Sequence, residues 1–119
     1  MKLKQTLFAL MLAVAASQVG RIVHAQEPTR TIEIHAHRFS FEPAEITLKR
    51  GETVKLSLTS DDVTHSLMVP ELNINQEIKK GKPTEITVTP STEGDFHGQC
   101  GHFCGSGHGS MLFVVHVKE

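Results

Sequence analysis

Apolar and polar residues alternate in five separate runs of the chain. They are Thr31-Ile-Glu-Ile-His-Ala-His37, Glu45-Ile-Thr-Leu-Lys49, Thr53-Val-Lys-Leu-Ser-Leu-Thr59, Thr84-Glu-Ile-Thr-Val-Thr89 and Met111-Leu-Phe-Val-Val-His-Val-Lys118. A period of two places alternate side chains on opposite faces, so each run predicts a strand with one buried face. Turn formers separate the runs: Pro43, Arg50-Gly51, Lys80-Gly81-Lys82-Pro83 and Glu93-Gly94. No stretch carries helical periodicity. Short strands at this spacing predict an all-β fold, an antiparallel Greek-key β-sandwich.

Six of the nine glycines fall between Gly94 and Gly109. Glycine weakens strands and helices alike, so the sequence predicts a tightly folded loop there. That loop contains both cysteines, Cys100 and Cys104, together with His108 and Met111, and it lies at one end of the expected sandwich. Loops on a rigid scaffold are where sites are usually built.

The N-terminus breaks the alternating pattern. Lys2 and Lys4 precede an apolar run from Leu7 to Ala16, and Val23-His-Ala25 supplies small residues around a cleavage point. This is the pattern of an export signal over residues 1–25, with a mature domain over 26–119. The apolar run is shorter than the roughly 20 residues needed to span a bilayer, and no later segment comes closer, so the expectation is an exported, periplasmic chain with no membrane span after cleavage, an uncleaved N-terminal anchor being the competing reading. Of 12 Lys plus Arg, three (Lys2, Lys4, Arg21) precede the cut, leaving nine basic against 13 acidic side chains. That balance argues against nucleic acid as a partner.

Two cysteines in an exported domain would ordinarily predict a disulfide. The company they keep favours a metal instead. Thiolate, thioether and imidazole ligands together suit copper, and the spacing is Cys-x3-Cys-x3-His-x2-Met, with a second imidazole available from His65 in Asp61-Asp-Val-Thr-His-Ser-Leu-Met-Val-Pro70. A closed zinc site of two Cys and two His is chemically allowed but leaves Met111 without a role.

Asp62-Val-Thr-His-Ser66, Val69-Pro-Glu-Leu-Asn73, Gly98-Gln-Cys100, Cys104-Gly105, His108 and Met111 together resemble the dinuclear copper (CuA) domain of cytochrome c oxidase subunit II, which has the cupredoxin fold. The resemblance implies that Cys100 and Cys104 bridge two copper ions. It implies further that His65 and Met111 complete one ion, and His108 and the backbone carbonyl of His102 the other. Leu67, Met68, Phe96 and Phe103 are expected to exclude water around them. Electron transfer to or from a redox protein, cytochrome c or an oxidase catalytic subunit, follows as the implied function. No acid, base or nucleophile cluster suggests catalysis by this chain alone.

The usual subunit of the family carries two membrane-spanning helices before the copper domain, where this sequence is expected to have only the export signal, and the chain departs from the family further around the site. His102 stands between the cysteines where the family commonly has an acid, no Trp or Tyr is present, and Phe39 and Phe41 occupy the approximate place of the family's aromatic cluster. A mononuclear blue-copper site of His65, Cys104, His108 and Met111, and a copper-delivery protein using the same soft ligands, are the competing readings. His97 is a candidate for a supporting role beside the site. His35, His37 and His116 are expected on the solvent face of strands, and Asp61-Asp62 is expected to initiate a turn.

Overall fold

The computed structural model describes residues 27–119, and the predicted export signal lies outside the described residues. Nine strands form: β1 (Arg30–His37), β2 (Ser40–Glu42), β3 (Glu45–Lys49), β4 (Val54–Ser60), β5 (His65–Val69), β6 (Ile74–Ile78), β7 (Thr84–Val88), β8 (Gly94–Cys100) and β9 (Leu112–Lys118). They make two sheets, one ordered β2-β1-β4-β7 and the other β3-β9-β8-β5-β6. The all-β Greek-key sandwich expected from the alternating runs is therefore present.

Both sheets are mixed rather than antiparallel. β1 pairs parallel with β4, Ile34 opposite Leu58, and β3 pairs parallel with β9, Ile46 opposite Val115. After β2 the chain crosses to the second sheet as β3 and then returns, so β4 enters the first sheet in the same direction as β1. Alternation reports which face is buried; it carries no information about the neighbour's direction.

The core lies between the sheets. Ile34 and Ala36 of β1, Leu56 and Leu58 of β4, and Phe113, Val115 and Val117 of β9 are all buried, as their alternation requires. Phe41 and Phe113 meet edge to face across the sheets, with centroids 5.6 Å apart and ring planes at 69°, a preferred geometry for aromatic pairs.

The expected glycine-rich loop is shorter than predicted, because Gly94–Cys100 forms strand β8. The reason lies at Gly98: a Cβ there would sit 2.6 Å from Val69 Cγ2 and 2.7 Å from the Met68 carbonyl oxygen. Glycine in this strand marks close approach of β5, one of the circumstances in which a strand tolerates it.

Candidate metal centre

Pairing of Leu67 with Cys100 puts the start of β5 beside the end of β8. His65 and Cys100 thus meet at one end of the sandwich, and the segment from Gly101 to Met111 folds over them. A hydrogen bond from Cys100 N to Met111 O (3.0 Å) closes the base of this loop, and Gly101 N donates to Ser66 Oγ (2.8 Å). Within it, a 3₁₀ turn over His108–Ser110 aims His108 inward.

The sequence-predicted residues converge. Ligand atoms of His65, Cys100 and Cys104 lie within 4.8 Å of one another, and both cysteines are unbridged. His65 Nδ1 is 3.9 Å from Cys100 Sγ, and the Cys100 thiol points at the His102 carbonyl oxygen, 3.1 Å away. Cys104 Sγ lies 3.7 Å from His108 Nδ1 and 3.9 Å from Met111 Sδ. His65, Cys100, Cys104 and Met111 are buried and His108 is half-buried. The His102 imidazole is exposed and donates to the Phe103 carbonyl, so only its backbone faces the thiols.

Burial and the neighbouring Cys100 push the Cys104 thiol up to about 11. The nearby Arg38 opposes that rise without overcoming it, so this thiol is protonated at neutral pH and metal binding must release its proton.

Three groups outside the predicted set shape the site. Asp62 Oδ1 accepts from His65 Nε2 (2.6 Å) and from Val63 N (2.6 Å), while its Oδ2 accepts from Arg38 N (2.7 Å). Partial burial opposes its charge, but the hydrogen bonds from Arg38, His65 and Val63 outweigh it and bring the carboxyl down to about 2. An ionised carboxylate can only accept, so His65 carries its proton on Nε2 and presents the Nδ1 lone pair to the sulfurs. Asp62 therefore does more than initiate a turn.

Arg38 Nε donates to the Cys104 carbonyl (2.8 Å), tying the β1–β2 turn to the loop. Phe39 covers Gly105 and Gly107, where an added Cβ would come within 2.9 and 2.4 Å of its ring. Gly105 also has φ +144°, a conformation side chains disfavour. Asp62 could have been found from its spacing three residues before His65. Arg38 has no local signal at all.

Other expectations need correction. Phe103 is 73% exposed, tilted against the His108 ring at a centroid distance of 5.8 Å, so it does not shield the thiols. Phe96 pairs with Val115 and lies near Gly94, at the far end of β8 from Cys100. Leu67 is buried against the site as expected and Met68 is half-buried. Phe41 belongs to the core, and only Phe39 reaches the loop. His97 is exposed, on the face of β8 opposite to that of buried Phe96 and Cys100. His35, His37 and His116 do line the outer faces of their strands.

A fold of two packed mixed sheets, with two thiols, two imidazoles and a thioether gathered at one end, defines a class. The chain belongs to the family described as the cupredoxin-like domain, whose model matches residues 5–113. It is related in sequence to cytochrome c oxidase subunit II. It is 43% identical over 70 residues to a probable subunit 2 from Streptomyces avermitilis, covering 59% of this chain and 22% of that one. Against subunit 2 from Thermus thermophilus the identity is 32% over 89 residues, 75% of this chain and 66% of the relative. The matched segment is thus about a fifth of the length of the Streptomyces relative. In fold it resembles the periplasmic domain of subunit II of cytochrome oxidase from Bradyrhizobium japonicum, with TM-score 0.72, 17% identity, and coverage of 81% of this chain and 88% of that one. Among the described residues no helix is long and apolar enough to cross a membrane.

Proposed function

We propose that this chain is a periplasmic electron-transfer module that holds two copper ions in a CuA-type centre bridged by Cys100 and Cys104. One observation carries the reading: the two buried thiols stand together, and each has its own pair of further donors. Cys100 faces His65 and the His102 carbonyl; Cys104 faces His108 and Met111. His65 with Met111, and His108 with the His102 carbonyl, are the pairs implied for the two ions. Each pair straddles both sulfurs, which is the arrangement two bridging thiolates require. A mononuclear site would leave Cys100 and the His102 carbonyl without a purpose.

Soft sulfur with imidazole suits copper. When bound, a thiolate-bridged copper pair supplies one-electron exchange with the charge spread over both metals. The protein's own part is to hold the donors still. Asp62 fixes the tautomer and tilt of His65, Arg38 fixes the Cys104 carbonyl, and the buried Leu67 and Met111 keep water from the sulfurs. The exposed ring of Phe103, tilted against the half-buried His108, offers the nearest surface to an electron donor or acceptor, a redox protein such as cytochrome c or an oxidase catalytic subunit. With His102 between the cysteines, no acidic side chain is available there for a further metal.

Copper loading of the chain without residues 1–25 tests the proposal. Two coppers per chain, with an EPR hyperfine pattern spread over both nuclei, are expected. One copper with a single-nucleus signal identifies the mononuclear site instead, and tight Cu(I) binding with no coloured oxidised form identifies a delivery protein. A Cys100→Ser variant that keeps the parent spectrum sinks the dinuclear assignment.

A further inference from the structure

The outer face of the first sheet carries a second set of metal-type donors that the thiol site does not use. His35 and His37 are two residues apart on β1, so both side chains leave the same face with Cα atoms roughly 7 Å apart. Glu42 of β2 stands directly opposite His35 in the antiparallel register, and its Oε1 is 3.2 Å from His37 Nε2. On the other side, Asp61 donates its N–H to the carbonyl of Ala36, the residue between the two histidines (2.9 Å). That bond pins Asp61 beside β1, where its Oδ1 lies 3.4 Å from His35 Nδ1. Two imidazoles are thereby flanked by one carboxylate on each side, drawn from three separate segments. All four side chains are at least 32% exposed, so each reaches solvent and can turn without disturbing the core.

We propose that His35 and His37, assisted by Glu42 and Asp61, form a surface site for a divalent transition-metal ion, copper(II) or zinc(II). Imidazole at metal–nitrogen distances near 2.0–2.1 Å, with carboxylate oxygen completing the shell, is the donor set these ions take. The two rings face opposite sides of β1, His35 toward Asp61 and His37 toward Glu42, with His37 Nδ1 on the Arg38 carbonyl (3.2 Å), so binding one ion requires both exposed rings to swing toward each other. Copper(II) is favoured over zinc(II) by intrinsic affinity. The set contains no sulfur, so it does not compete for copper(I) with Cys100 and Cys104. The site adjoins the thiol centre through the chain: His37 precedes Arg38, which holds the Cys104 carbonyl, and Asp61 precedes Asp62, which holds His65. The inference does not depend on two coppers, or any copper, at the thiol site.

The test uses a Cys100→Ser/Cys104→Ser chain, which removes the thiol site, titrated with copper(II) by calorimetry and EPR. One equivalent with nitrogen superhyperfine coupling from two imidazoles is expected. His35→Asn and His37→Asn should each weaken binding by about tenfold or more, and His116→Asn, on the other sheet, should leave it unchanged. No binding, or equal binding by a His35→Asn/His37→Asn double variant, overturns the proposal. Because the cysteine variant could fold poorly, the unsubstituted chain labelled with nitrogen-15 is also titrated with zinc(II). Amide shifts clustered at 35–42 and 59–61 support the site, and shifts confined to 100–111 refute it.

Discussion

Replacing Gly98 by alanine tests the reason given for glycine in β8. The added methyl would stand 2.6 Å from Val69 Cγ2 and 2.7 Å from the Met68 carbonyl oxygen, where carbon–carbon contacts settle at about 3.5–4.0 Å. Neither neighbour can yield cheaply. Val69 is fully buried and β-branched, with little rotamer freedom, and the Met68 carbonyl is backbone in the strand that pairs with β8. The strands must separate. Overpacking of this kind costs about 1–3 kcal/mol, and a lost ladder hydrogen bond adds about 1 kcal/mol. The smaller entropy of an alanine-containing unfolded chain returns about 0.4–1 kcal/mol. A net loss of about 1–3.5 kcal/mol remains, equivalent to a Tm lower by roughly 4–28 °C in a domain this size.

Calorimetry and urea unfolding of the metal-free protein measure it, with Gly109→Ala as the control. A Cβ at Gly109 meets nothing within 4 Å, so its change should stay within about 0.5 kcal/mol. Because Cys100 follows Gly98 by two residues on the same strand, metal affinity should also fall in Gly98→Ala and not in Gly109→Ala. A Gly98→Ala protein melting within about 2 °C of the parent refutes the close-approach account, since 1 kcal/mol alone shifts a domain of this size by about 4–8 °C.

Three further outcomes are expected. Asp62→Asn removes the charge that orients His65, so copper affinity in a chelator competition should drop by about tenfold or more. With its carboxyl lowered to about 2, Asp62 stabilises the fold fully above about pH 4 and progressively less as pH falls toward 2; the acid limb of urea midpoints should flatten in the variant. His116 is raised, chiefly by its 2.6 Å hydrogen bond to Asp95 and further by Glu45 at 3.5 Å. Its contribution is therefore complete below about pH 6.5 and is lost as pH rises through the higher folded value, a slope that should disappear from urea midpoints of His116→Gln. Phe39→Ala uncovers Gly105 and Gly107, and amide hydrogen exchange at 105–110 should accelerate while β9 stays protected.

Five strands were legible because their alternation is undiluted. The rest were hidden for identifiable reasons. β5 is buried at four of its five positions, so it has no polar phase to alternate with. β6 has buried apolar residues only at its ends, Ile74 and Ile78. In β8 Gly98, one of the glycines that suggested a loop, is a strand residue under crowding, a property of the neighbour and not of the segment. Among the donors, residue type and spacing sufficed for Cys100, Cys104, His108 and Met111, which share one short loop. His65, 35 residues from Cys100, was legible as a second imidazole on an apolar strand-end segment, and its ligand role came from the resemblance. Of the adjacent acids, Asp62 has a local signal in its place three residues before His65, whereas nothing local says that Asp61 turns to His35.

Every donor comes from the second sheet or its loops: His65 opens β5, Cys100 ends β8, and Met111 leads into β9. The restraints come largely from the first sheet, through Arg38 and Phe39 in the β1–β2 turn and through Asp62 after β4. Donor geometry is consequently set by how one sheet seats on the other. Phe41 of β2 and Phe113 of β9 form the aromatic contact across that seam, and Phe113 is two residues from Met111. Phe41→Leu should cost about 1–3 kcal/mol as a shape change in a packed core. The greater consequence is expected at the site, because a shift of β2 moves Arg38 and Phe39 against a loop they hold at 2.8 Å and in van der Waals contact. A Phe41→Leu protein that is destabilised yet keeps unaltered exchange at 104–110 and unaltered copper affinity would show that the loop holds its geometry without the first sheet.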